Sequence, residues 1–167
     1  MSRAFVKEDG NDLEPLPDLP LSPHPNYVTP RGLGLLQARL ATAQSALAEL
    51  RARPDRLDKL PEAAAERDIR YYEARLRSAI LINPQSLPLT EVAFGLCVTV
   101  ADDHGLETRY EITGEDEADA PLHRIAPHAP LARALMGAQV GDVVTWRKPS
   151  GPVTLEIIGI SHAYPRP

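Results

Sequence analysis

The sequence predicts an α+β protein: an N-terminal antiparallel coiled-coil hairpin followed by an antiparallel β domain with one short helix. Three observations lead there. Two apolar seams with a mean spacing of about 3.5 residues stand back to back between Thr29 and Ile82. A break that begins and ends with proline separates them and is too short for a further element. Beyond residue 90 the periodicity changes to that of strands.

Residues 1–28 carry prolines at 15, 17, 20, 23 and 25 among acids and small residues, with little to bury, and read as a proline-rich flexible lead. The hairpin is expected over 29–82. Thr29-Pro30 is a helix start: the threonine hydroxyl can cap free amides, and proline at the first helical position forfeits no hydrogen bond. The first seam is Leu33, Leu36, Leu40, Ala43, Leu47 and Leu50, and the helix ends near Arg53 because Pro54 cannot continue it. Pro61 restarts a second helix, with Ala65, Ile69, Tyr72, Leu76 and Ala79 as its seam, fading before Asn83-Pro84. At 1.5 Å per residue each arm is roughly 30–36 Å long.

A linker occupies 83–90 and the β domain 91–167. Val92 to Ala101 and Thr108 to Thr113 are β-rich and joined by Asp102-Asp-His-Gly105, a turn sequence. A helix from Pro130 to Met136 is closed by Gly137. Val143 to Trp146 and Val153 to Ile160 supply further strands around Pro149-Ser-Gly151.

Composition removes several classes of function. No apolar run has the length of a membrane span and the first residues lack a hydrophobic signal core, so a cytoplasmic location is expected. The lone Cys97 excludes a disulfide within the chain and reads as a core residue, while the five histidines show no metal-ligand spacing. No phosphate-binding glycine loop or serine elbow is present. The net charge of −5 is unevenly divided, at −3 for the lead, +3 for the hairpin and −5 for the remainder. A basic arm on an acidic body fits a partner surface of mixed sign.

Several motifs occur in a fixed order: Thr29-Pro-Arg-Gly32 ahead of the leucine seam, then Val92-Ala-Phe-Gly95 with Val98-Thr-Val100. Tyr110-Glu-Ile-Thr-Gly114-Glu-Asp-Glu-Ala-Asp119, Pro130-Leu-Ala-Arg-Ala-Leu-Met-Gly137 and Val140-Gly-Asp142 follow. The set resembles the bacterial Gre transcript-cleavage factors (GreA/GreB) over about residues 28–162. The resemblance implies an FKBP-like C-terminal domain that docks on RNA polymerase and a coiled coil that enters the polymerase secondary channel to act on paused or backtracked complexes. It implies no catalytic residue and no cofactor of the chain's own. In cleaving members two tip acids help hold a second Mg²⁺ of the polymerase. The implied partner is RNA polymerase, with only indirect contact to nascent RNA and DNA, and the implied state is a monomer.

On that resemblance the tip acids are Asp55, Asp58 and Glu62. Asp58 and Glu62 come nearest to the cleaving pattern, but they are four apart with Pro61 between them. Each arm is also about nine residues shorter than the family pattern, or roughly 13 Å, reminiscent of Rnk-type proteins, which have a shorter coiled coil. The plain reading of the same acids is a solvated turn, with Glu62 favouring a helix N-terminus. Asp116, Glu117, Asp119 and Arg133 are the candidate polymerase contacts. Arg31, Arg39, Arg70, Arg75 and Arg77 form a candidate basic face along the hairpin, or else pair within helices, as Glu66 with Arg70 and Glu73 with Arg77. In this family the position occupied here by His128-Ala129 tends to carry serine. Three functions stay open: a cleavage-assisting Gre factor, a non-cleaving Rnk-like regulator that occupies the channel, and, more distantly, a peptidyl-prolyl isomerase. A plain dimerisation coiled coil is a further structural reading.

Overall fold

A computed structural model describes residues 14–163. The first thirteen residues of the lead and the last four of the chain lie outside the described residues. The order is β1 (Tyr27–Val28), α1 (Pro30–Ala52), α2 (Leu60–Ser78), β2 (Ile80–Leu81), β3 (Leu96–Asp102), β4 (Glu107–Ile112), β5 (Arg124–Ile125), α3 (Pro130–Leu135), β6 (Val143–Lys148) and β7 (Gly151–His162).

The hairpin forms as the seams predict. All six seam positions of α1 are at least half-buried, with Leu36 and Leu47 buried, and nearly every position between them is exposed. The Thr29 hydroxyl accepts the Gly32 amide at 3.0 Å, and Pro30 opens the helix. Helices of 23 and 19 residues are roughly 34 and 28 Å long.

The α2 pattern is broader than a two-helix seam requires, since most of its positions from Ala64 to Ala74 are half-buried. The lead accounts for part of this, because residues 16–22 lie along one side of α2. The expected flexible lead therefore differs from the structure over its described part. Residues 27–28 form a strand rather than a tether, pairing parallel with Ile80–Leu81 at the base of the hairpin. The Ile80 and Ile82 amides donate to the carbonyls of Asn26 and Val28. The Asn26 side chain donates to the Arg75 carbonyl at 2.8 Å, satisfying one of the carbonyls left open at the end of α2.

The body is a five-stranded sheet in the order β5-β4-β3-β7-β6, antiparallel except for the short β4–β5 pair. In β7, buried Leu155 and Ile157 alternate with exposed Thr154, Glu156 and Ile158, as one buried face demands. A bulge at Thr99/Val100 leaves Ile158 unpaired opposite β3. The core joins Val92, Phe94, Val98, Val100, Ile112, Leu155 and Ile157 to Leu131 and Leu135 of α3. In the β3–β4 turn the Asp102 carboxylate accepts the His104 and Leu106 amides at 2.9 Å, which holds its carboxyl below the usual carboxylate range. Among the described residues no helix is long and apolar enough to cross a membrane.

Candidate functional site

Two places on the molecule gather the candidate residues: the hairpin tip and the junction of hairpin and body. At the tip, Asp55 and Asp58 are exposed, and each spends one carboxylate oxygen on a backbone amide two residues ahead, Leu57 and Leu60 respectively. These are Asx turns, the ordinary use of aspartate at a bend. Glu62 behaves differently. Its carboxylate is buried and gripped at both oxygens by Arg56, at 2.9 and 2.6 Å, with the Lys59 ammonium at 3.8 Å. The Arg56 hydrogen bonds outweigh burial and hold the Glu62 carboxyl below its usual range. A planar guanidinium matched to both oxygens of a carboxylate is a strong pairing geometry. At the tip Asp55 and Asp58 face solvent, and Leu57 is a strongly exposed apolar side chain between them. Among the described residues no three His, Cys, Asp or Glu side chains come together as a metal site. As folded, the tip does not by itself assemble a full set of oxygen ligands for a hard cation.

At the junction the structure brings together residues far apart in sequence. Arg31 donates through Nε to Glu117 and through Nη2 to Glu111 at 2.8 Å. Arg75, almost fully buried, donates to Asp116 at 2.5 Å and lies 3.4 Å from Glu115. The Tyr71 hydroxyl donates to Asp116 at 2.7 Å, and the Thr29 hydroxyl donates to Glu117 at 2.7 Å. Burial, followed by the bond to the Asp116 carboxylate, pushes the Tyr71 hydroxyl up to about 12. Arg39 donates to the Asp116 carbonyl at 2.8 Å. Glu117 thus sits over the first turn of α1, where a negative charge meets free amides and the positive end of the helix.

Two glycines permit this approach. A Cβ on Gly32 would stand 2.7 Å from the Glu117 carboxylate, and one on Gly114 would stand 2.7 Å from the Tyr27 carbonyl. Thr29-Pro-Arg-Gly32 and Gly114-Glu-Asp-Glu117 are therefore two halves of one clasp.

This corrects several expectations. Arg31 and Arg75 do not line an open basic face, and Asp116 and Glu117 do not point outward; they neutralise one another across the junction. Arg70 reaches the lead instead, bonding Asp18 at 2.6 Å and the Leu16 carbonyl at 2.8 Å. Glu66 pairs with Arg51 of the other helix rather than with Arg70, because the antiparallel return brings the helices within reach. Arg77 is exposed beside the lead. Asp119 is half-buried and closes a turn through backbone bonds with Arg124. Sequence reasoning missed Arg56, Tyr71 and Glu111. The opposite charges of the two clasp motifs were the available signal for the junction.

Arg133 is exposed on a cleft of about 360 Å³ shared with His24, Pro25, Tyr27, Glu115 and His128. The His24 and His128 rings stack at 4.5 Å, and His128 lies 3.1 Å from Glu115, which also accepts the Ser22 hydroxyl at 2.6 Å. On the other side of α3, Tyr110 and Trp146 stand edge to face at 6.5 Å. With Ile125 and Leu131 they line a mostly apolar cleft of about 460 Å³. Phe94, another aromatic ring of the body, is buried in the core.

The C-terminal sequence profile of the GreA/GreB transcription elongation factors matches residues 87–162. Over 157 positions the chain is 35% identical to transcription elongation factor GreA of Francisella philomiragia subsp. philomiragia, covering 81% of this chain and 95% of that protein. This chain belongs to the GreA/GreB family. GreA of a Psychrobacter species is also 35% identical, over 80% of this chain and 95% of its own length. The match to Pseudomonas putida GreA is 38% identical but spans 60% of this chain and 64% of that protein. A solved GreA/GreB structure from Nitrosomonas europaea aligns with 82% of this chain at 20% identity and a TM-score of 0.42. In this GreA/GreB-family chain, the clasp gives Thr29-Pro-Arg-Gly32 and Gly114-Glu-Asp-Glu117 a structural purpose, the joining of hairpin to body.

Proposed function

We propose that this GreA/GreB-family chain acts on transcription elongation in the cytoplasm by binding RNA polymerase as a monomer. The body docks through the surface around Arg133, and the hairpin enters the secondary channel. The chain occupies the channel on paused or backtracked complexes without delivering a metal to the polymerase centre. The observation that carries the last step is the Arg56–Glu62 pair, which removes one tip carboxylate from service. The match to GreA spans 157 positions but 81% of this chain, so GreA has residues with no counterpart here, in keeping with the shorter arms expected from the family pattern. A metal held by carboxylates tolerates errors of tenths of an ångström, not of helical turns.

The test uses backtracked elongation complexes of bacterial RNA polymerase with Mg²⁺. The expected result is no shortening of the transcript by this chain, together with slower cleavage when an authentic GreA is added. Rapid shortening that disappears in Asp58→Ala/Glu62→Ala would overturn the non-cleaving reading and make those acids Mg²⁺ ligands.

A further inference from the structure

The described part of the lead occupies a surface. Five prolines between residues 15 and 25 hold it extended, and it enters no strand before Tyr27. It crosses the half of α2 nearest the body: Asp18, Leu19 and Leu21 form one wall of a crevice, and Arg70, Tyr71, Glu73, Ala74 and Arg77 form the other, with two guanidiniums to one carboxylate on the α2 side. It then passes the clasp, where Ser22 bonds Glu115, and reaches the Arg133 cleft, where His24 stacks on His128. The anchor at its end is firm, since Asn26 is buried and bonded to the end of α2. The remainder is held by side chains near solvent. The Asp18 side chain is 74% exposed and its partner Arg70 is 39% exposed, a pair of the kind that contributes little and is easily exchanged.

We propose that the base half of α2 and the Arg133 cleft form one docking surface for an anionic partner, and that the chain's own acidic lead is its resident occupant. Under the proposed function that partner is the polymerase complex, and the inference rests on that reading. Asp18 supplies the charge an incoming carboxylate or phosphate would bring to Arg70. The described part of the lead lies along Arg70 to Arg77, in the half of α2 nearest the body, so the base of the finger is screened there. Polymerase closing on the base must peel residues 16–24 away, with Asn26 as the hinge point.

Two full-length variants test this. Asp18→Lys/His24→Ala weakens the lead at both contacts. Leu19→Cys/Ala74→Cys places a cysteine on each wall of the crevice, so that oxidation locks the lead down and reduction frees it. Cys97 stays apart from that chemistry, being buried, with its thiol pushed up by burial. Binding is read on fluorescent elongation complexes. The released variant is expected to bind about fivefold tighter than the native chain, as removal of a competing state requires. The oxidised lock is expected to bind more weakly than the same protein after reduction.

Equal affinity of oxidised and reduced forms, with no gain in the released variant, would overturn the proposal. The rate at which the engineered disulfide closes reports docking of the lead without polymerase. Fast closure with no polymerase binding by any form would sink the polymerase reading, and the contention with it, while leaving the docked lead in place. Slow closure, unchanged by Asp18→Lys/His24→Ala, would sink the docked lead itself.

Discussion

Single atoms decide whether the clasp can close. Gly32→Ala puts a methyl group 2.7 Å from the Glu117 carboxylate, which Thr29 and Arg31 already hold in place. The carboxylate must give way, and a cost of about 1–3 kcal/mol is expected from crowding of this kind. Gly34→Ala is the matched control. It lies in the same helix, a Cβ there meets nothing within 4 Å, and the helix should gain up to about 1 kcal/mol. Urea midpoints of the two variants should therefore move in opposite directions, and a common shift would show that Gly32 is ordinary helix filler. At the tip the relevant quantity is pH. Glu62 has its carboxyl depressed by Arg56, so the pair's contribution is full above the ordinary carboxylate range and is lost as pH falls through the depressed value. The stability gap between the native chain and Arg56→Ala should be open at neutral pH and close in acid. A gap independent of pH would mean that Arg56 acts by packing alone.

At the scale of elements, α2 carries the junction: Tyr71 and Arg75 lie four apart, one turn of one face, and meet the same Asp116 carboxylate. Arg75→Met takes the guanidinium from Asp116, which keeps only the Tyr71 hydroxyl, and from the partly exposed Glu115. A loss of about 1–3 kcal/mol is expected from leaving a mostly buried charge short of a partner. Tyr71 gives an independent reading. Its hydroxyl is raised to about 12, so its contribution holds below the usual tyrosine range and fades as pH rises from about 10 towards 12. An alkaline loss of stability that persists unchanged in Tyr71→Phe would remove this account. These elements also show where sequence reading succeeds and where it stops. The seams, the Thr29 cap and the turn at Asp102 were legible because each is set by residues within a turn or two of one another. The clasp was not, because Arg31 and Glu117 are 86 positions apart, and an acidic run after a glycine reads locally as a solvated loop. The two-residue β1–β2 pair was invisible for the same reason. Two residues give no periodicity, and the prolines before them point to an unstructured chain.

For the whole molecule, the question is whether finger and body are one cooperative unit. The body has a continuous core built from its own residues, with Ile82 from the end of the hairpin packed against its edge. The hairpin has a narrow seam in which only Leu36, Leu47 and Ala63 are buried apolar side chains, and two helices of this length are marginal alone in water. Its persistence must therefore come from the body through the clasp and the β1–β2 pair. Two probes separate the halves. Trp146, the single tryptophan, lies in β6 of the body, whereas α1 and α2 supply nearly all the helical signal. In the native chain, tryptophan fluorescence and helical circular dichroism should fall together in urea, as one two-state transition. In Arg31→Met/Arg75→Met, the helical signal should fall first and the fluorescence later, giving two separated midpoints. If both probes still move together after the clasp is cut, the β1–β2 pair is enough to couple the halves. If they separate in the native chain, the finger is an independent unit and the clasp serves only to aim it.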